Sequence, residues 1–336
     1  MPIQQRQLPG EFELIAEYFA PLSEGFSGAY GLLDDAATIS PAQGCDLVVK
    51  TDAIVGGVHF HADDPADLVA RKALRVNLSD LACKGAVARA YMLGLILPST
   101  VTTKWLSAFS EGLAADQQQY GVHLIGGDTN TTQGSLTIAV TAFGEVPQGR
   151  MLRRNGAESG DLIFVTGTIG DAALGLRTLR GELPTLKPQA ASSLISRYRL
   201  PLPRVDIGPQ LLNVATATID VSDGLIADLQ HICDVCGLAA VVESKKVPLS
   251  PAAGLAIATK PDLLAVALTG GDDYEILFTA PPEAVKELSR LAQSSCVPLT
   301  MIGRMEKPSP EAGNQVLVRG SDDALSQYGQ RGWTHF

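Results

Sequence analysis

The sequence predicts a mixed α/β (α+β) protein of two domains, on three observations. The chain has 336 residues, more than a single hydrophobic core usually serves. Short apolar runs of strand length alternate with longer runs whose apolar residues recur at helical spacing. The stretch VPQGRMLRRNGAESGD, residues 146–161, is polar, basic and glycine-bearing between apolar segments, which places a domain boundary inside it. The expected domains are 1–148 and 149–336.

In the first half, DLVVKTDAIV reads as a strand that stops at Thr51 and Asp52. PADLVARKALRVNLSDLACKGA follows as a helix, with Pro65 suited to its first turn. HLIGGDT and SLTIAVTAFGEV read as a strand, a Gly-Asp turn and another strand. The second half opens with the strand DLIFVTG, and GTIGDAALGLRTLRG is a glycine turn into a helix. ATATIDVSDG leads into the helix LIADLQHICDVC, and LLAVALTGGDDYEILFTAPP reads as strand, turn and strand. IGGDT and TGGDD echo each other, which makes a doubled α/β unit plausible without establishing it.

Composition excludes several function classes. With 46% hydrophobic and only 18% charged residues, the chain is that of a loop-rich soluble enzyme and not of a disordered or fibrous protein. A formal net charge of −10 disfavours nonspecific nucleic-acid binding, which needs excess Lys and Arg against backbone phosphates. No apolar run approaches the roughly 18 residues of a membrane span. The N-terminal stretch lacks the pattern of a secretory leader, so a cytoplasmic protein is expected. Five scattered cysteines argue for a reducing compartment over a disulfide framework. Cys233 and Cys236 form a CxxC with no second pair to complete a zinc site; packed thiols are favoured over a redox role.

Aspartates recur where apolar segments give way to small residues: Asp34 and Asp35, Asp52, Asp80, Asp128, Asp220 and Asp223, Asp272 and Asp273. Short oxygen ligands suit Mg²⁺, which is usually shared between carboxylates and substrate phosphates. Taken singly, each motif reads better as an N-cap or a turn. Together, in a chain with few charges, they favour cation binding, since clustered carboxylates repel one another. An acidic protein that binds an anionic nucleotide needs metal cations between the two. GTIGDAALGL offers backbone N–H groups to an anion at a helix start, or is merely a turn. Arg153 and Arg154 either fork onto phosphate oxygens or are solvated linker charges. His59 and His61 would share one strand face.

DDAA, KTDAIVGGVHF, KALRVNLSDLACKGA, IGGDT, GTIGDAALGL, DVSDGL, GGDDYEILFT and the closing GWTHF, in this order, resemble the thiamine-monophosphate kinase family. That family belongs to the aminoimidazole ribonucleotide synthetase and selenophosphate synthetase superfamily. The resemblance implies the two-domain aminoimidazole ribonucleotide synthetase-like fold, with the N-terminal sheet at a homodimer interface. It implies several Mg²⁺ ions on Asp35, Thr51, Asp52, Asp80, Asp128, Asp220 and Asp223, and ATP against Gly127, Asp128, Arg154 and Ser222. His59, Asp272 and Trp333 would meet thiamine monophosphate. The chain departs from the family's motifs at Leu33 and Gly56, and at Asp272, where a Glu is usual.

The implied reaction transfers the γ-phosphoryl of ATP to thiamine monophosphate. Its nucleophile is an already ionised phosphate oxygen, so positioning and charge neutralisation should dominate and no catalytic base is assigned. Two other readings stand beside it: another ATP-using enzyme of the superfamily, or a noncatalytic nucleotide sensor.

Overall fold

A computed structural model of the chain describes residues 8–309, 313–320, 323–327 and 332. It divides into two units, the first comprising Met1–Leu81 and Ala86–Gly149, the second Ala82–Gly85 and Arg150–Phe336.

The first unit opens with α1 (Glu11–Leu14) and short helical turns that end at Leu32. It continues through β1 (Cys45–Val55), α2 (Ala66–Cys83), β2 (Val87–Pro98), α3 (Thr103–Tyr120), β3 (His123–Thr132) and β4 (Thr137–Pro147). The strands form one sheet in the order β1-β4-β2-β3. β4 runs antiparallel to β1 and β2, while β2 and β3 are parallel, joined by the α3 crossover that such a pair requires. Apolar residues of α2, including Val69, Ala73, Leu74 and Leu81, are buried. α2 is locked to α3 by a buried ion pair, with Arg75 Nε and a second guanidinium nitrogen donating to the two Asp116 carboxylate oxygens at 2.7 and 2.8 Å.

The second unit holds a seven-stranded sheet, ordered β11-β10-β7-β9-β5-β8-β6. Its strands are β5 (Leu162–Thr166), β6 (Ala217–Asp220), β7 (Ala239–Glu243), β8 (Ile276–Ala280), β9 (Leu299–Glu306), β10 (Val316–Arg319) and β11 (Leu325–Ser326). Between them run α4 (Asp171–Leu179), α5 (Pro188–Arg199), α6 (Leu225–Cys236), α7 (Pro251–Thr259), α8 (Leu263–Thr269) and α9 (Val285–Ser295). Along β5, Ile163 and Val165 enter one core and Phe164 the other, so both faces of the sheet are covered. This is why LIFV and ILF read as unbroken apolar runs. Phe164 and Phe278 are cross-strand partners and stack at 5.3 Å.

Several elements differ from expectation. β1 does not stop at Asp52 but pairs with β4 along its whole length, from Cys45 opposite Pro147 to Val55 opposite Thr137. Gly127 and Asp128 lie inside β3, not in a turn. LLAVALT is the helix α8, not a strand: its Leu and Ala residues are strong helix formers, and Leu263, Ala267 and Leu268 are buried. The GGD echo therefore joins a strand interior to a loop that follows a helix, and no doubled unit results. His59 and His61 lie beyond the end of β1, in the segment that begins at the Gly56-Gly57 turn, and not on a strand face. Cys233 is buried and Cys236 half-buried on α6, all five cysteines are free, and burial first, then Asp234, pushes the Cys233 thiol up to about 12. Such a thiol packs and does not react.

Candidate active site

In the first unit, strand and helix periodicity bring two of the predicted carboxylates together. Lys50 and Asp52 stand two apart on β1 and share a face. Asn77 and Asp80 stand three apart on α2 and share a side of the helix. The two faces meet: the Asp52 N–H donates to Asn77 Oδ1 at 3.0 Å, and Lys50 Nζ lies 3.1 Å from Asp52 and 3.2 Å from Asp80. Burial alone would depress the Lys50 ammonium, but the Asp80 and Asp52 charges more than offset it and its pKa is raised. Thr51 points the other way, where its hydroxyl bonds to the Val140 carbonyl and Thr141. Its side chain therefore does not join the Asp52 and Asp80 group.

Asp128 stands on the other edge strand of this unit's sheet, β3. The ladder sets Asp52, Val140, Leu93 and Gly127 in one row, and Asp128 in the next with Gly94, Ala139 and Ala53. β1 and β3 are the two edge strands of the sheet, so Asp52 and Asp128 stand on opposite edges of it. Gly127 is required where it stands, since a Cβ there would come within 1.9 Å of the Leu93 carbonyl oxygen. Asp35 is exposed, with its N–H donating to Asp34. His59 is half-buried; its Nδ1 accepts from the Val55 N–H at 3.0 Å, and its carbonyl accepts from the buried Lys72 ammonium at 2.9 Å.

In the second unit, two loops carry the remaining predicted residues. β6 ends at the buried Asp220, and the Ser222, Asp223 and Gly224 N–H groups all donate to Asp228 of α6, at 3.0, 3.0 and 3.1 Å. Burial, then the Asp220 and Asp223 charges, push the Asp228 carboxyl well above the usual range, while the Asp223 and Gly224 N–H groups pull it back. Asp223, Asp228 and His231 bring ligand atoms within 4.8 Å of one another. The two carboxylates of this group, under mutual repulsion, fit a divalent oxygen-seeking cation such as Mg²⁺; the imidazole nitrogen is not a donor Mg²⁺ prefers.

The second loop, GGDDYE, lies against the first. The Asp272 N–H donates to the Ser222 carbonyl at 2.9 Å, the Tyr274 N–H to Val221 at 2.8 Å, and the Val221 N–H back to Glu275 at 2.8 Å. A Cβ at Gly271 would meet the Ser222 carbonyl oxygen at 1.9 Å, so only glycine fits. Asp272 and Tyr274 have φ of 70° and 52°, left-handed values that cost of order 1–2 kcal/mol each and need support from their surroundings. Asp273 and Glu275 supply it. Asp273 accepts the Gly170 and Ala172 N–H groups at 2.6 and 3.2 Å. The start of α4, read from the sequence as either an anion site or a turn, thus bonds the Asp273 side chain of the chain itself. Glu275 accepts from Thr166 at 2.6 Å, Arg197 at 2.9 Å and twice from Arg204 at 2.5 Å. Arg154 is exposed, and its carbonyl accepts from Cys236 Sγ at 3.3 Å. Trp333 lies outside the described residues.

Known proteins sharpen this picture. A family model described as AIR synthase related protein, N-terminal domain, matches residues 33–146. The chain is 43% identical to a thiamine-monophosphate kinase of Salmonella typhimurium over 329 residues, covering 97% of this chain and 98% of that protein. It belongs to the thiamine-monophosphate kinase family. Among solved structures, the thiamine-monophosphate kinase of Stenotrophomonas maltophilia K279a is 40% identical, with a TM-score of 0.82 over 94% of this chain and 98% of the other. The structure described as AaThiL complexed with AMPPCP and TMP is 30% identical, with a TM-score of 0.77 over 100% of this chain and 99% of the other.

Sequence reasoning missed Lys50, Asn77, Asp228, His231 and Glu275 as neighbours of the candidate residues. Asp228 had a signal, an acid in the first turn of α6 where the helix dipole favours one. For Glu275, nothing in the sequence revealed the two arginines that meet it.

Asp273 gives a pH dependence. Burial pushes its carboxyl up to about 8, against the pull of the Gly170 N–H, Arg197 and the Ala172 N–H. The native protein therefore binds this proton more tightly than the unfolded chain does. Its contribution to stability is fully present below about pH 4 and is lost as pH rises through about 8, with a slope of at most about 1.4 kcal/mol per pH unit. Denaturant unfolding at pH 5 to 9 should show the stability advantage of wild type over Asp273→Asn shrinking with pH. A constant difference would contradict the assignment.

Proposed function

We propose that this chain phosphorylates thiamine monophosphate with ATP, giving thiamine diphosphate and ADP. The observation that carries this reading is likeness along essentially the whole chain to AaThiL, solved with AMPPCP and TMP. A terminal phosphate oxygen of thiamine monophosphate attacks the γ-phosphorus, a new P–O bond forms, and the bond to the β-phosphate oxygen breaks as ADP leaves. The attacking oxygen is already an anion, so the protein's task is alignment and charge neutralisation.

Asp52, Asp80, Asp35, Asp128, Asp220 and Asp223 are proposed to hold the magnesium ions, with Thr51 contributing through its backbone, given where its hydroxyl points. When bound, Mg²⁺ supplies charge neutralisation on the transferred phosphoryl group. Gly127, Asp128, Arg154 and Ser222 are assigned to ATP. His59, Asp272 and Trp333 are assigned to thiamine monophosphate, with the indole facing the cationic ring system. The test is ADP release by the purified protein with and without thiamine monophosphate. Strict dependence on it supports the kinase; ADP formed without it points to another ATP-using enzyme of the superfamily, and no ADP at all to a noncatalytic sensor.

A homodimer is also proposed. The face of the first sheet opposite Asp52 leaves Val49, Met92 and Ile96 exposed, at 56%, 36% and 39%, beside Ala53, Gly94 and Ala139. Those exposed apolar residues suit burial against a second copy of the same sheet. Ile96→Glu should halve the mass in sedimentation equilibrium; an unchanged dimer would place the interface elsewhere. The free cysteines suit a reducing, cytoplasmic setting. Among the described residues, no helix is long and apolar enough to cross a membrane.

A further inference from the structure

Lys50 is a cation standing where the proposed function needs a metal. Its ammonium lies 3.1 Å from an Asp52 oxygen and 3.2 Å from an Asp80 oxygen, and so bridges two carboxylates from different elements. The position is built. Strand periodicity puts Lys50 beside Asp52, the Asn77 amide oxygen fixes the Asp52 backbone, and the NLSD turn of α2 delivers Asp80. The three side chains are partly shielded, at 33%, 42% and 16% exposure, so solvent screens their interaction less than at an open surface. Two carboxylates held this close repel unless a cation joins them. An ammonium offers three donors to them, but it is a single charge on a flexible stem and can swing away.

We propose that Lys50 is a built-in counter-ion that competes with a divalent cation for the position between Asp52 and Asp80, and so sets the metal affinity of the first unit. This rests on the reading of Asp52 and Asp80 as metal ligands. With no metal bound, the ammonium keeps the pair neutralised and the strand-helix contact intact. A divalent ion must displace it, so binding at this pair is weakened in proportion to the strength of the bridge. Lys50 then sets how tightly the metal is held, distinct from the carboxylates that hold it.

The probe is Mn²⁺, titrated into EDTA-stripped and dialysed full-length protein and followed by electron paramagnetic resonance, with no nucleotide present. Lys50→Met, which keeps the apolar stem, should bind Mn²⁺ about tenfold to a hundredfold more tightly than wild type, the order by which groups next to metal ligands tune affinity. Lys50→Arg keeps the charge and should bind as weakly as wild type. Melting in EDTA supplies a second readout: Lys50→Met should unfold at lower temperature than wild type and regain the difference with Mn²⁺. If Lys50→Met folds poorly, Lys50→Gln gives the same comparison. Equal or weaker Mn²⁺ binding by the neutral variants overturns the proposal while leaving the metal reading standing. Unchanged Mn²⁺ binding when Asp52→Asn is added to Lys50→Met shows instead that the pair is no metal site, and both fall.

Discussion

Asp223→Asn is expected to lower the rate of phosphoryl transfer at least about a hundredfold at saturating substrates, the scale on which losing one charge-stabilising group is felt. Asp128→Asn should do the same from the first unit. Asp223 is half-buried in a loop where the Ser222, Asp223 and Gly224 N–H groups donate to Asp228, so the substitution keeps those three hydrogen bonds. It also removes one of the charges that push Asp228 upward. The metal-free variant should therefore melt no lower than wild type. This split, activity lost and stability kept, separates metal binding from capping or turn formation, which would show as unfolding. Near-normal turnover of both variants at limiting Mg²⁺ would remove Asp128 and Asp223 from the metal set.

Glu275→Gln is expected to destabilise the protein by about 3–5 kcal/mol, because breaking a buried ion pair leaves its partners charged and uncompensated. Glu275 is fully buried and meets both Arg197 and Arg204, which are themselves only 15% and 17% exposed. The variant matches the original in shape, so packing is retained; the charge is lost, and an NH2 donor takes the place of one oxygen that accepts from Thr166 or the arginines. For a domain of this size the loss corresponds to a melting point lower by about 6–20 °C. The left-handed Asp272 and Tyr274 should relax as the turn loosens, so the KM for thiamine monophosphate should rise in whatever fraction stays folded. Calorimetry at fixed protein concentration measures the first effect. A drop of less than about 1 °C would show that the arginines are satisfied without the carboxylate.

Helix α6 was legible residue by residue, because its apolar positions keep the helical period and Gly224 and Gly237 bracket it. The strands of the second sheet were legible as apolar runs because both sheet faces are covered. The length of β1 was not, because Lys50 and Asp52 look like a charged strand end until Asp80 arrives from α2, thirty residues on in sequence. LLAVALT was ambiguous in principle, since a short apolar run carries no period to separate strand from helix. The aspartates of the site were legible as residue types at recurrent places. Their division was not: Asp273 closes a helix start while its neighbour Asp272 stays half-buried in the same turn, and only tertiary contacts distinguish the two.

The Asp272 N–H to Ser222 carbonyl bond has a consequence for how the two substrates communicate. Ser222 is assigned to the nucleotide and Asp272 to the thiamine, yet one peptide hydrogen bond is all that separates them, flanked by two more of the same kind. The link is made of main chain, so no side-chain substitution at either position can cut it. Were an arriving substrate to displace one loop, these main-chain bonds are the contacts through which the other would follow. Variants of Asp272 should accordingly alter the kinetics of thiamine monophosphate while leaving the mechanical coupling between the two ligands intact.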